Sequence, residues 1–147
     1  MATIAEALDV QLHNLRTLQH LLESELYLIS SRDAEGLMNL LNDKQATLDA
    51  IQQQDEITNQ LFAAQGKNAK FVIANQPPEV RAQLDEAQQL LEQCKFRTSV
   101  NEKAVEQGQL KLEHLRHLLI ETRAKESLTY DRSGKPQGGT LGKGVSA

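Results

Sequence analysis

The chain has 147 residues, a formal net charge of −4 and one cysteine, and 3% of its residues are aromatic. This length suits one domain, the negative charge argues against a nucleic-acid partner, and a lone cysteine excludes an intramolecular disulfide. The lone cysteine also fits a reducing cytoplasm, and no stretch reaches the roughly 18 apolar residues of a membrane-spanning helix, so we expect a cytoplasmic protein without membrane insertion.

The first predicted helix begins at a capping box, because Thr3 and Glu6 have the spacing at which each side chain bonds to the other's backbone N–H group. The residues from Ser30 to Asp33 break the pattern and provide new N-caps. Between these points, apolar residues recur at steps of three and four along one face: Ile4, Leu8, Leu12, Leu15, Leu18, Leu22, Leu26 and Ile29.

The second predicted helix runs from about Ala34 to Ala64, and Gly66 is its stop signal. Its apolar stripe, which is interrupted by polar residues at three positions, consists of Leu37, Leu41, Leu48, Ile51 and Phe62. The interrupting residues are Lys44, Asp55 and Thr58. Residues 67–76 follow, and their apolar run is compatible with a helical turn or an extended strap. We expect this segment to cap one end of a helical bundle.

The third predicted helix begins at Pro77-Pro78-Glu79 and runs to about Ser127. Its heptad repeat, typical of a coiled coil, consists of Val80, Leu84, Ala87, Leu91, Cys94, Thr98, Asn101, Val105, Gly108, Leu112, Leu115, Leu119 and Thr122. The middle of this repeat is poor in large apolar residues. The pattern leaves open whether the helix is continuous through Gly108, which costs ~1 kcal/mol relative to alanine.

The lengths of the three predicted helices do not match. The third would be ~70 Å long and the other two ~40–45 Å each, so a compact hairpin of the first two cannot cover it. Part of the third helix should therefore be available to another protein. The part that is rich in leucine lies near its C-terminal end, and we place a substrate-protein binding surface there, on Val105, Leu112, Leu115 and Leu119.

The last segment, residues 128–147, contains most of the chain's eight glycines. Such a composition cannot bury enough apolar surface to offset its ordering entropy, so we expect a disordered tail. It opens with Leu128 and the aromatic Tyr130, which suggests a short docking peptide. The predicted organisation is a helical domain over 1–127 and a flexible docking tail over 128–147.

No residue pattern predicts catalysis, a cofactor or a metal site. His114 and His117 have a spacing that can chelate a metal, but no third ligand is evident. Cys94 lies on the apolar seam without an activating base, which indicates a packed thiol. Asn101 either fixes the helix register or belongs to a partner surface, because a buried amide requires a hydrogen-bonding partner. We therefore expect a protein that is not an enzyme.

Two short segments resemble the FlgN family of flagellar export chaperones. The run Leu128-Thr129-Tyr130-Asp131-Arg132-Ser133-Gly134 is similar to the family's Leu-Tyr-x-x-x-Gly, with one residue inserted between leucine and tyrosine. The run Asp43-Lys44-Gln45-Ala46-Thr47-Leu48 is similar to its acidic–Lys–x–x–x–Leu pattern. The succession of three long helices, with Asn101 midway along the last, is also similar.

This resemblance implies an all-α bundle of three antiparallel helices that binds the hook–filament junction proteins FlgK and FlgL in the cytoplasm. It implies that the chaperone prevents premature association of their amphipathic helices and delivers them to the flagellar type III export apparatus. The family's tail tyrosine docks on the cytoplasmic domain of the gate protein FlhA, and Tyr130 occupies that position. The alternative is a structural or adaptor coiled-coil protein that self-associates.

Overall fold

A computed structural model describes the backbone of residues 2–131 and the side chains as far as Lys125. It contains four helices, α1 (Ile4–Ser31), α2 (Ala34–Ala63), α3 (Ala69–Ala74) and α4 (Pro78–Asp131). No strand occurs between residues 2 and 131, and the all-α prediction is confirmed. The described residues divide into two units, 2–104 and 105–131.

The caps predicted for the first helix are present. The Glu6 N–H group donates to Thr3 Oγ1 at 3.1 Å, and the Thr3 N–H group donates to Glu6 Oε2 at 3.3 Å. At the other end of α1, Arg32 takes a left-handed conformation with φ of 57°. Asp33 then caps α2 by accepting a backbone N–H bond from its first turn at 2.9 Å. The reversal between α1 and α2 is therefore completed by two residues.

In the first unit, α1 and α2 run antiparallel. The Gln54 side-chain amide donates to the Ala7 carbonyl at 2.9 Å, and the Gln11 amide donates to the Ile51 carbonyl at 3.0 Å. Positions later in α2 thus pair with positions earlier in α1. Both bonds reach a backbone carbonyl across the interface, so the two helices are joined by amides as well as by apolar contact.

The first part of α4 runs parallel to α1. The Gln83 amide donates to the Ala5 carbonyl at 3.1 Å, and the Cys94 thiol donates to the Leu15 carbonyl at 3.7 Å. Sequence position increases in the same direction along both helices. The arrangement in this unit is therefore up, down and up for α1, α2 and α4.

Helix α1 supplies most of the core. Its predicted apolar face is buried from Ile4 to Leu22, while Leu26 and Ile29 are half-buried. The core divides into layers, each with residues from α1 and α4. The buried members of the layers, from one end to the other, are Ile4, Leu8 and Val80, then Leu12, Leu15 and Leu90, then Leu18, Leu22 and Cys94.

The apolar stripe predicted for α2 is wrong at two of its positions. Leu41 and Leu48 are 59% and 41% exposed, respectively. The residues turned inward instead follow a different seven-residue repeat: Leu40, Lys44, Thr47, Ile51, Gln54 and Thr58. Polar groups prevail at these positions because they bond across the interface or to their own helix, which an apolar periodicity does not reveal.

The heptad repeat predicted for α4 is also wrong at one position. Leu90 is 9% exposed and belongs to the core, whereas Leu91 is 38% exposed. Gln83 is buried beside Leu84, and its amide donates to Asp9 Oδ1 at 2.7 Å. The hydrogen bonds from Gln83 to α1 turn the side of α4 that carries Gln83 and Leu90 towards the core. The apolar repeat had instead predicted that Leu91, on the adjacent side, is buried.

A polar cluster ties the three long helices together within the first unit. The Lys44 ammonium group of α2 lies 3.0 Å from Glu25 Oε2 of α1. The Asn101 amide of α4 donates to Glu25 Oε1 at 2.8 Å and to the Leu22 carbonyl at 2.9 Å. Asn101 is 4% exposed and bonded within its own chain, as expected of a residue that fixes the register.

Helix α3 settles the conformation of the segment that the sequence left open. Asn68 caps it by accepting the Phe71 N–H bond at 3.3 Å, and Val72 is buried. The Gln76 amide donates to the Val72 carbonyl at 3.1 Å and to Gln65 Oε1 at 2.6 Å. The apolar run is thus a short helix that packs against α2 and is held by amide bonds at its end.

Helix α4 extends past its predicted end at about Ser127 and is helical as far as Asp131, the last residue that the structure describes. It is continuous through Gly108, where an added Cβ atom would meet nothing within 4 Å apart from the adjacent residues and the backbone of its own helix. Leu128 and Tyr130 are therefore helical residues, and the prediction that they lie beyond the helix is wrong. The rest of the predicted tail lies outside the described residues. None of the helices between residues 2 and 131 is long and apolar enough to span a membrane.

Removal of the Asn101 amide tests the polar cluster. We expect Asn101→Ala to lower the free energy of unfolding by about 1–3 kcal/mol, because the half-buried Glu25 carboxylate loses a donor. Urea denaturation followed by circular dichroism measures this change. Asn42→Ala, at an exposed position of α2, is the control and should remain within about 0.5 kcal/mol of the wild type. Equal stabilities of the two variants would contradict the role of the cluster.

Substitution at Gly108 tests the continuity of α4. We expect Gly108→Ala to stabilise the helix around this position by about 1 kcal/mol, because alanine has the higher helix propensity and the added methyl group has open space. Amide hydrogen exchange at Gln107 and Gln109 should slow by roughly fivefold. Gly66→Ala is the control, since its Cβ atom would lie 3.0 Å from Val72 and should bring no such gain. Unchanged exchange in the Gly108 variant would indicate a break in the helix.

Candidate functional site

The second unit presents a helix surface that differs from the rest of the molecule. Every described side chain from Val105 to Lys125 is exposed or half-buried. This part of α4 nevertheless carries large apolar residues at regular spacing. Since exposed leucine in such numbers is unusual on a protein surface, the segment is the strongest candidate for a binding site among the described residues.

The four predicted binding residues share one face of this helix. Val105, Leu112, Leu115 and Leu119 continue the heptad repeat, and their exposed fractions are 44%, 57%, 52% and 52%. Leu22 in the core, by comparison, is 1% exposed. We call the face of these four residues the α4 seam. Its position on the helix and its exposure are those of a surface that a second helix could cover, and its role in binding stays a prediction.

Other leucines of this segment lie off the seam. Leu110 is 60% exposed and, by its position in the heptad repeat, lies on the opposite side of the helix from the seam. Leu118 is 46% exposed and lies beside the seam. The presence of leucines alone is therefore not enough to identify the seam. The spacing of three and four residues identifies it, because residues at that spacing can contact one neighbouring helix together.

The middle of the predicted repeat belongs to the core and not to this site. Cys94 is 3% exposed, and burial raises the pKa of its thiol, while the charge of Arg97 acts in the opposite direction. A thiol with a raised pKa is a poor nucleophile at neutral pH. Its environment is that of the packed thiol that the sequence predicted.

The histidines do not converge on a site. His13, His20, His114 and His117 are all exposed. Among the described residues, no group of three or more His, Cys, Asp or Glu side chains has the geometry to hold a metal ion. The Glu23 carboxylate lies 3.8 Å from His20 Nδ1, one turn away on the same helix.

A cleft in the first unit was missed by sequence reasoning. It has a volume of about 530 Å³ and lies between the ends of α1 and α2, helix α3 and the start of α4. Leu8, Phe62, Val72 and Leu84 are among its apolar lining residues, and Asp55 and Lys67 also line it. The apolar run in α3 was the available signal, but the sequence could not show that a cleft remains between it and the neighbouring helices.

The predicted docking residue Tyr130 lies in the last turn of α4. Its side chain is outside the described part of the chain, as are residues 132–147. The structure therefore places the backbone of Tyr130 on the same continuous helix as the α4 seam, and the contribution of Tyr130 to docking stays a prediction.

Comparison with known proteins identifies the family. The FlgN protein family matches the chain over residues 1–138, which includes all four helices. No curated protein and no solved structure matches the chain. A match over nearly the whole length, together with the all-α fold, shows that this chain belongs to the FlgN family of flagellar export chaperones.

Proposed function

We propose that this chaperone binds the amphipathic helices of the hook–filament junction proteins FlgK and FlgL in the cytoplasm. It keeps these helices from associating before export and delivers them to the cytoplasmic domain of the export gate protein FlhA. It performs no catalysis and uses no cofactor or metal. The observation that carries the proposal is the exposed α4 seam on a chain of the FlgN family.

The physical basis of substrate binding is the apolar area that the seam leaves in water. An amphipathic helix can lay its own apolar face along Leu112, Leu115 and Leu119, as in other helix-in-groove complexes. Complete burial of one leucine side chain contributes about 1.5–3 kcal/mol, and these residues are about half exposed. Their joint burial is enough to support a reversible complex, which a chaperone requires because it must release its substrate.

Delivery requires a second contact that does not compete with the substrate. Tyr130 lies in α4 beyond the last seam residue, Leu119. Aromatic side chains are frequent anchors of protein interfaces, since they bury a large area with few rotatable bonds. In the proposal, Tyr130 contacts the gate while the seam holds the substrate.

A second candidate is a structural or adaptor protein that self-associates through the same seam. The heptad spacing of Val105, Leu112, Leu115 and Leu119 favours this alternative, since it would also suit a dimeric coiled coil. Sedimentation equilibrium distinguishes the two. A monomer that binds FlgK or FlgL supports the chaperone, and a stable dimer without substrate binding supports the alternative.

A charge placed in the seam tests substrate binding. We expect Leu115→Asp to abolish binding of FlgK and FlgL, because a carboxylate buried against an apolar helix costs several kcal/mol. Isothermal titration calorimetry with purified substrate measures the affinity. Leu110→Asp is the matched control: it makes the same change on the same helix at an exposed leucine outside the seam, and it should bind normally.

Two outcomes would contradict the proposed seam. One is unchanged affinity of a folded Leu115→Asp variant, with folding verified by circular dichroism. The other is an equal loss of affinity in both variants, which would indicate a general effect of the added charge.

Removal of the aromatic ring at position 130 tests delivery. We expect Tyr130→Ala to bind substrate normally but to lose roughly thirtyfold or more in affinity for the FlhA cytoplasmic domain. Cells that carry this variant should secrete FlgK and FlgL poorly and move weakly. The measurements are calorimetry with each partner and a secretion assay in a strain that lacks its own chaperone.

Tyr27→Ala is the control for the loss of an exposed aromatic ring, since Tyr27 is 72% exposed on α1. It should retain both affinities and normal export. Normal gate binding and export by Tyr130→Ala would show that this tyrosine is not the docking residue.

A further inference from the structure

The charges beside the α4 seam are segregated. In the heptad repeat, the two positions that flank each pair of seam residues lie at the edge of a helix–helix contact. Every lysine and arginine between Val105 and Lys125 occupies such a flanking position: Lys111, Arg116, Arg123 and Lys125. The acidic residues of the same segment lie away from the seam, on the outer face: Glu106, Glu113 and Glu121.

This segregation is not a consequence of overall composition. The chain as a whole is acidic, with a formal net charge of −4. The seam nevertheless has basic residues along both edges and no acidic residue there. Lys111 and Arg123 are exposed, so their charged groups can reach a molecule that lies on the seam.

The basic edges disfavour a second copy of this chain as the occupant. In a parallel pair, the edge that contains Lys111 would face the edge that contains Arg116 of the other copy. In an antiparallel pair, each edge would face its own equivalent, which is also basic. Like charges at these positions destabilise pairing in either orientation.

We propose that the α4 seam is specific for an amphipathic helix whose apolar face is flanked by aspartate or glutamate. This inference rests on the proposed function and adds the charge of the substrate helix. Acidic side chains at its flanking positions would pair with Lys111 and Arg123, while its apolar residues cover Leu112, Leu115 and Leu119. Apolar burial supplies most of the affinity, and the basic edges select among amphipathic helices.

Designed helical peptides test the inference with the full chain. Three peptides carry the same leucine heptads and differ at the flanking positions, which are all Glu, all Gln or all Lys. We expect the Glu peptide to bind roughly tenfold more tightly than the Gln peptide and the Lys peptide to bind most weakly. The preference should decrease as the salt concentration rises, because the flanking charges are exposed.

A charge-reversed chaperone is the decisive variant. The double substitution Lys111→Glu and Arg123→Glu should remove the preference, so that the Glu and Lys peptides bind with similar affinity, because Arg116 and Lys125 then stand against two acidic residues. The matched control is Lys70→Glu with Lys103→Glu, which changes the net charge equally at exposed positions outside the seam and should retain the wild-type order. A merely structural effect of the first pair would weaken all peptides and would keep their order.

The outcomes separate this inference from the proposed function. Equal affinity for the three peptides, with binding lost in Leu115→Asp, would overturn the charge specificity and leave the seam intact. Binding that persists in Leu115→Asp, or no binding of any peptide, would overturn both. A dimer that Leu115→Asp dissociates in sedimentation equilibrium would show that a second copy covers the seam, and it would overturn the inference.

Discussion

The Glu25 carboxylate is the group on which the arrangement of the three long helices depends. It belongs to α1, forms an ion pair with the Lys44 ammonium group of α2 and accepts a hydrogen bond from the Asn101 amide of α4. Its side chain is 16% exposed and that of Lys44 is 22% exposed, so both charges are largely removed from water. A slip of either neighbouring helix by one turn would leave a buried charge without its partner, at a cost of several kcal/mol. Apolar layers tolerate such slips far better, so we assign the register of this unit to its polar contacts.

The reliance on polar contacts between helices also explains why α2 buries so little apolar surface. Its inward positions are occupied by groups such as Gln54 and Thr58, which bond to backbone carbonyls of α1 and of α2 itself. Because a carbonyl lies at a fixed place on its helix, each amide that reaches one constrains both rotation and translation. Leu41 and Leu48 remain exposed as a consequence, although their spacing suits a core. Specific polar contacts therefore prevail over apolar periodicity along this helix.

Along α4, one heptad repeat continues from the core of the first unit into an exposed surface. Up to Asn101 its residues are buried or half-buried, apart from Leu91, and from Val105 onward the large apolar residues at equivalent positions are exposed. A chaperone of helical substrates benefits from this continuity, since the exposed seam already has the spacing by which helices recognise each other. In the proposed mechanism, apolar burial gives affinity to many amphipathic helices. The basic edges beside Leu115 then add selectivity through exposed pairs that are weak enough to allow release.

The sequence by itself determined the all-α class, the capping box at Thr3, the turn before Ala34 and the seam that contains Leu115. Each of these depends on neighbours within a few turns of one helix, and such local interactions can be read from spacing. Only the tertiary structure decided that Leu90 is buried in preference to Leu91, that Lys44 points inward, and that a cleft lies beneath α3. These features depend on partners as distant in the chain as Glu25 and Asn101, whose pairing becomes defined only when the helices have packed.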